Sequence, residues 1–285
     1  EGFANAVPSM MEAWGERTPI IYITGSSSIK RKGSGGFKEI DDVSIAAPLT
    51  KYSSSITDGK RIREFVDKAY RIATNGYPGA VHLSLPVDIM FSSFPESSGL
   101  EERPFSHQAK PLAKAWPDPS SISEILELAC NAKKPVLIGG HGVWWSESEK
   151  KLEQAGSILN IPIFNIPYHQ KLLGEETNSY MGLADIHQFP PSKFAFQESD
   201  LVLMVGARLD NQMNFGNPPL FPNTTKLVCI NGSHEEIELN RSADINLLCD
   251  PGVFLDTIVK LKKNNKWNLD KSWFEENKSR KKKWV

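Results

Sequence analysis

Short unbroken apolar runs, each closed by glycine or a polar turn, recur along this sequence with helix-length amphipathic stretches between them. Residues 19–24 (PIIYIT) lead into Gly25, and 135–138, 161–166, 201–205 (LVLMV) and 226–230 (KLVCI) repeat the theme, while 80–85 (AVHLSL) and the short 245–248 read as further strands. A strand that is apolar at successive rather than alternate positions is covered on both faces, as strands of parallel sheets are. The clearest intervening helix spans 59–75, where Ile62, Phe65, Val66, Ala69, Tyr70 and Ala73 form one stripe. Arg63, Glu64, Asp67, Lys68 and Arg71 take the opposite face. Gly76 stands at its C′ position and Pro78 prevents continuation. Strand, helix, strand at this spacing predicts an α/β architecture with parallel sheets.

Two domains are expected. The first covers 1–92 and opens with a helix over 3–14. Residues 93–118 read as a linker, because Pro95, Pro104, Pro111 and Pro117 interrupt any periodicity. The second covers 119–263 and begins with a helix over 121–132, with Ser121 as its N-cap and Glu124 completing a capping box. Helices over 146–159 and 251–260 follow. Five or six buried strands alternating with helices imply a doubly wound open sheet, which binds ligands beyond the carboxyl ends of its strands. Residues 264–285 are rich in lysine and tryptophan. They read either as a nucleic-acid-binding tail or as a solvated connecting helix docked by Trp267 and Trp273.

A formal net charge of −1 argues against nucleic acid or an acidic membrane surface as the main partner. No apolar run approaches the roughly 18 residues that span a bilayer. Cys130, Cys229 and Cys249 lie in apolar or helical stretches without CxxC spacing, which suits reduced core thiols in a cytoplasmic protein. The histidines form no HxxxH or HxH pair, so a metal site built within the chain is not expected. The chain begins at Glu1 with no signal-peptide pattern and is expected to be a piece of a longer polypeptide.

Taken alone, the chemical signals are loose. Gly139-Gly140-His141-Gly142, after a strand, could bring a helix N-terminus to a phosphate or could be a tight turn. Arg208, in GARLD just past the strand LVLMV, sits where diphosphates bind in doubly wound folds, or forms an ion pair with Asp210 or a neighbour. Asn231 and Ser233 follow the strand KLVCI, where such folds often place an acid against a ribose hydroxyl.

In order and spacing these segments are more specific. The run from Gly35 to Asp88 resembles the second half of the pyrimidine-binding domain of the acetolactate synthase family of thiamine-diphosphate enzymes. GFANAV at 2–7 is similar to that family's helix after its glycine-proline-glycine loop, and GARLDNQMNFG at 206–216 and HEEIELNR at 234–241 resemble its central domain. The resemblance reaches to about residue 263. It implies two doubly wound parallel-sheet domains, the first incomplete, with 264–285 connecting to a diphosphate-binding domain.

The resemblance also implies site residues. Asn5 would lie against the aminopyrimidine ring of thiamine diphosphate. Phe37 and Lys38 match a phenylalanine-glutamine pair facing cofactor and substrate, with lysine departing from the pattern. Lys51 matches a lysine near the substrate channel. Arg208 matches an arginine that meets the diphosphate of FAD, ADP or coenzyme A, while Asn231 and Ser233 replace two acids that contact the ribose. The loss of those acids resembles 2-hydroxyacyl-CoA lyases. The ylide-forming glutamate and the glycine-aspartate-glycine motif that binds Mg2+ do not occur at matching places in this sequence.

Three functions are therefore expected in turn. The first is part of an enzyme that decarboxylates a 2-oxoacid and joins the remainder to a second carbonyl, inactive as this fragment. The second is part of a 2-hydroxyacyl-CoA lyase, and the third a silent nucleotide-binding scaffold. The full-length protein would assemble as a dimer or tetramer.

Overall fold

The computed structural model describes residues 1–94, 114–166, 172–187, 189–264 and 270–284. They divide into two compact units, Glu1–Leu112 and Ala113–Val285. Most of the segment expected to be a linker, and Trp267 of the tail, lie outside the described residues.

The first unit contains α1 (Gly2–Gly15), β1 (Ile21–Ser26), α2 (Asp42–Ala46), β2 (Ser53–Ser55), α3 (Ile62–Thr74), β3 (Val81–Pro86) and α4 (Val87–Met90). Its strands form a parallel sheet in the order β1-β3-β2. β3, the middle strand, is buried along nearly its whole length, although His82 and Ser84 alternate with its apolar residues. Val81 and Leu83 face one core with Ile56, Ala69 and Ala73, while Phe3, Met10 and Ala46 form another. Gly76 takes the left-handed φ of +64° that ends α3. Tyr70, expected in the buried stripe of that helix, is instead 54% exposed.

The second unit contains α5 (Pro119–Asn131), β4 (Pro135–Gly139), α6 (His141–Trp145), α7 (Glu149–Leu159), β5 (Ile163–Asn165) and β6 (Tyr180–Leu183). It continues with α8 (Pro190–Glu198), β7 (Leu201–Val205), β8 (Lys226–Asn231), β9 (Ile245–Leu248), α9 (Pro251–Asn264) and α10 (Ser272–Trp284). All six strands are parallel, in the order β6-β5-β4-β7-β8-β9. The chain winds outward from β4 to β6, then returns beside β4 and winds the other way, so the strand order reverses between β4 and β7.

Residues of α5, α7 and α9, among them Ile122, Ile125, Leu152, Phe254 and Ile258, share one core. Phe196 of α8 and Trp273 and Phe274 of α10 share the other. This two-sided cover is the doubly wound arrangement expected from the alternating strands and helices.

Two local expectations are corrected. The N-cap of α5 is Asp118, not Ser121: its carboxylate accepts the Ser121 N–H at 2.9 Å, and Pro119 takes the first helical position. The helix expected over 146–159 is α7, which starts only at Glu149, and a separate short helix, α6, precedes it at His141–Trp145. In the tail, Trp273 donates its indole N–H to the Pro135 carbonyl at 3.0 Å. Arg280 reaches the Glu198 carboxylate at 2.7 Å, so α10 is docked while Lys282 and Lys283 are exposed.

Candidate functional site

At the reversal point the turns after β4 and β7 meet backbone to backbone. Gly140 donates its N–H to the Val205 carbonyl at 3.0 Å and Gly142 to that of Gly206 at 2.9 Å. A Cβ on Gly140 would stand 2.4 Å from the Gly206 oxygen, and one on Gly142 would stand 2.7 Å from the Gly206 Cα. Gly206 itself has φ +58°. The glycines therefore serve close packing of two turns, and the N–H groups of Gly140 and Gly142 are spent within the protein. Of the two readings of Gly139–Gly142, the structure supports the tight turn.

The loops after β7 and β8 bring Arg208, Asn231 and Ser233 together through a residue that sequence reasoning missed, Glu236. Arg208 Nη1 stands 3.7 Å from the Glu236 carboxylate, and Glu236 is buried. The ion pair with a neighbour is thus formed, with Glu236 as partner. Asn231, the last residue of β8, accepts the Ser233 N–H on its side-chain oxygen at 3.3 Å, and Ser233 donates its hydroxyl to Glu235. Asp210 accepts the Gln212 N–H at 3.0 Å. Burial pushes the Asp210 carboxyl above its ordinary range, opposed by backbone N–H groups and by the charge of Arg208. Glu236 lay within the run 234–241 but carried no signal marking it as the partner of Arg208.

These donors test the fit of a nucleotide. A diphosphate needs unspent N–H groups or cations. Of the arginines on these loops, Arg208 is already paired with Glu236 and Arg241 donates to the carbonyls of Gly216, Phe221, Pro222 and Thr225, with Asp210 and Glu235 on the same loops. That donor set does not fit a diphosphate.

In the first unit, Asn5 lies exposed in the first turn of α1, and Phe37 is 90% exposed. Lys38 adopts φ +59° and its ammonium pairs with Glu1, the N-cap of α1. That ion pair brings the 37–38 segment to the end of α1 that carries Asn5. Glu39 fixes the same loop by accepting the N–H groups of Gly33 at 2.6 Å and Gly36 at 3.0 Å, which hold its carboxyl below the ordinary range. Lys51 is engaged elsewhere. Its ammonium donates to the carbonyls of Ile72 at 2.6 Å, Asn75 at 2.7 Å and Tyr77, closing the carboxyl end of α3.

Sequence reasoning also passed over His82, a fully buried residue on β3. Its Nε2 is 2.8 Å from the Thr24 hydroxyl and its Nδ1 is 2.9 Å from that of Ser53. The signal was a lone histidine inside the apolar run AVHLSL. Burial lowers its pKa, and the Asp42 carboxylate opposes that shift.

A six-stranded parallel sheet with helices on both faces and one reversal of strand order defines the second unit as an open, doubly wound α/β domain. Within it, residues 122–258 match the family described as thiamine pyrophosphate enzyme, central domain. The chain is 27% identical over 275 residues to the acetolactate synthase large subunit of Cyanidium caldarium, covering 95% of this chain and 46% of that protein. It is 26% identical over 282 residues to the 2-hydroxyacyl-CoA lyase of Arabidopsis thaliana, covering 96% of this chain and 47% of that one. The chain thus spans about half the length of the curated relatives it matches.

Among solved structures, benzoylformate decarboxylase of Polynucleobacter necessarius superposes with a TM-score of 0.76 at 19% identity, over 95% of this chain and 49% of that one. The shared fold therefore includes both units. Among the described residues, no helix is long and apolar enough to cross a membrane.

Proposed function

We propose that this chain is the central domain and part of the cofactor-binding domain of a thiamine-diphosphate-dependent enzyme that makes or breaks carbon–carbon bonds next to a carbonyl. The observation that supports the reading is the colinear match of 95% or more of the chain to an acetolactate synthase and to a 2-hydroxyacyl-CoA lyase. Joining of 2-oxoacids is the first reading and cleavage of a 2-hydroxyacyl-CoA the second. When bound, thiamine diphosphate supplies the electron sink for such chemistry. In this chain Asn5 offers a neutral donor and acceptor suited to an aminopyrimidine, and Phe37 offers an exposed ring to lie against it. Lys38 adds a cation at the same end of α1. The central domain acts as a platform, in which Arg208 pairs with Glu236.

The 285 residues contain no Gly-Asp-Gly run, and the reading places the magnesium site and the ylide-forming glutamate outside them. These residues alone, given thiamine diphosphate, Mg2+ and pyruvate, should form no acetolactate above background. The whole reading frame should form it. Cleavage of a 2-hydroxyacyl-CoA by the whole protein, without acetolactate, would select the second reading. Neither activity from the whole protein would overturn the proposal.

A further inference from the structure

The interior of the first unit holds a polar cluster that the proposed function does not use. His82 is flanked by hydroxyls from both neighbouring strands, Thr24 of β1 and Ser53 of β2. Ser53 donates its single proton to the Val43 carbonyl at 2.9 Å. It can therefore only accept from the ring, which assigns the imidazole proton to Nδ1. Nε2 is then an acceptor, and the Thr24 hydroxyl donates to it. The same Thr24 oxygen stands 3.4 Å from the Asp42 carboxylate, its alternative acceptor.

A second proton on the ring must enter at Nε2. Thr24 would then have to accept from Nε2–H, and its own proton would be free to turn toward Asp42. We propose that His82, Thr24 and Asp42 form a buried proton relay, in which proton uptake at Nε2 reverses the Thr24 hydrogen bond and sets that hydroxyl onto the Asp42 carboxylate. One proton enters from solvent, no covalent bond changes other than N–H, and the imidazolium is compensated by a carboxylate one hydroxyl away.

The surroundings of the ring support this pairing. α1 contributes the Phe3 ring, 5.3 Å away between centroids, and β1 contributes Thr24 with Tyr22 two residues before it on the same face. β2 contributes Ser53 and α2 contributes Asp42. α3 packs against the opposite face of β3, through Val81 and Leu83. Among the described residues Asp42 is the charge that acts on His82. Asp42 opens α2, four residues after Lys38.

Nitrogen-15 NMR of the histidine rings in the full chain tests this directly. At pH 8 His82 should carry its proton on Nδ1. On acidification it should take up a second proton with a midpoint below the ordinary 6.5, with the dispersion of the folded chain retained. Asp42→Asn should move that midpoint down by roughly one further pH unit, since a carboxylate within several ångströms favours the charged ring. An Nε2–H tautomer at pH 8 would overturn the relay, and that reading needs no variant. A midpoint unchanged in folded Asp42→Asn would overturn it as well.

Discussion

Lys51 shows how far a residue can be read before its surroundings are known. Sequence resemblance singled it out as a lysine near a substrate channel, but its ammonium lies against three carbonyls at the carboxyl end of α3. Those carbonyls belong to residues 21 to 26 positions later, and no local pattern announces such a contact. Replacing Lys51 by methionine keeps most of the stem and removes the donor. Hydrogen bonds from a charged group contribute about 1.5–3 kcal/mol, so Lys51→Met should lower stability by roughly 2 kcal/mol. Urea unfolding followed by circular dichroism checks this, and an unchanged midpoint would remove the cap from the account. Arg208, Asn231 and Ser233 could be singled out because position after a parallel strand is itself a signal. Glu236 and His82 were not, since their roles depend on partners on other strands or loops.

Elements were legible where burial shaped the sequence. β4, β7 and β8 are buried almost throughout and carry continuous apolar stretches, and β3 is as deeply buried with His82 and Ser84 between its apolar residues. β2 is Ser53–Ser55, held by its pairing with His82–Ser84 rather than by apolar side chains, and nothing in three serines marks a strand. β6, Tyr180–Leu183, was missed because it is short and broken by Gly182 at φ +124°. The reversal point between β4 and β7 makes a sharper demand. Gly206 combines φ +58° with a Cβ position 2.6 Å from the Gly142 Cα, where only backbone could yield. Gly206→Ala should therefore cost more than conformational strain alone, about 2–4 kcal/mol. Alanine at Gly76, also at positive φ but with open space around its Cβ, should cost about 1 kcal/mol. Comparing the thermal midpoints of the two variants tests this, and equal losses would mean the turns can part without penalty.

At the scale of the whole chain, the two units answer differently to acid. His82 in the first unit has a lowered pKa in the folded state, so folding favours its neutral form. That contribution is present above the unfolded value near 6.5 and is lost as pH falls through the folded value. The second unit carries the opposite and later responses. Asp210, raised by burial, gains stability as it protonates on acidification. Glu198, held low first by its bond from Lys134 and then by Arg280, loses its contribution only below its ordinary 4.5. Buried Cys229 and Cys249, pushed up to about 11 and about 12, stay neutral thiols throughout. Moving from pH 7.5 to pH 5.5 should therefore weaken the first unit and spare the second. Proteolysis by an enzyme whose activity is matched at the two pH values, with fragments read by mass spectrometry, should show faster cutting within residues 1–94 at pH 5.5. Cleavage within residues 119–264 should not accelerate. Equal acceleration in both units would show that acid acts through something other than His82, and His82→Phe, which cannot titrate, should abolish the difference if the assignment is right.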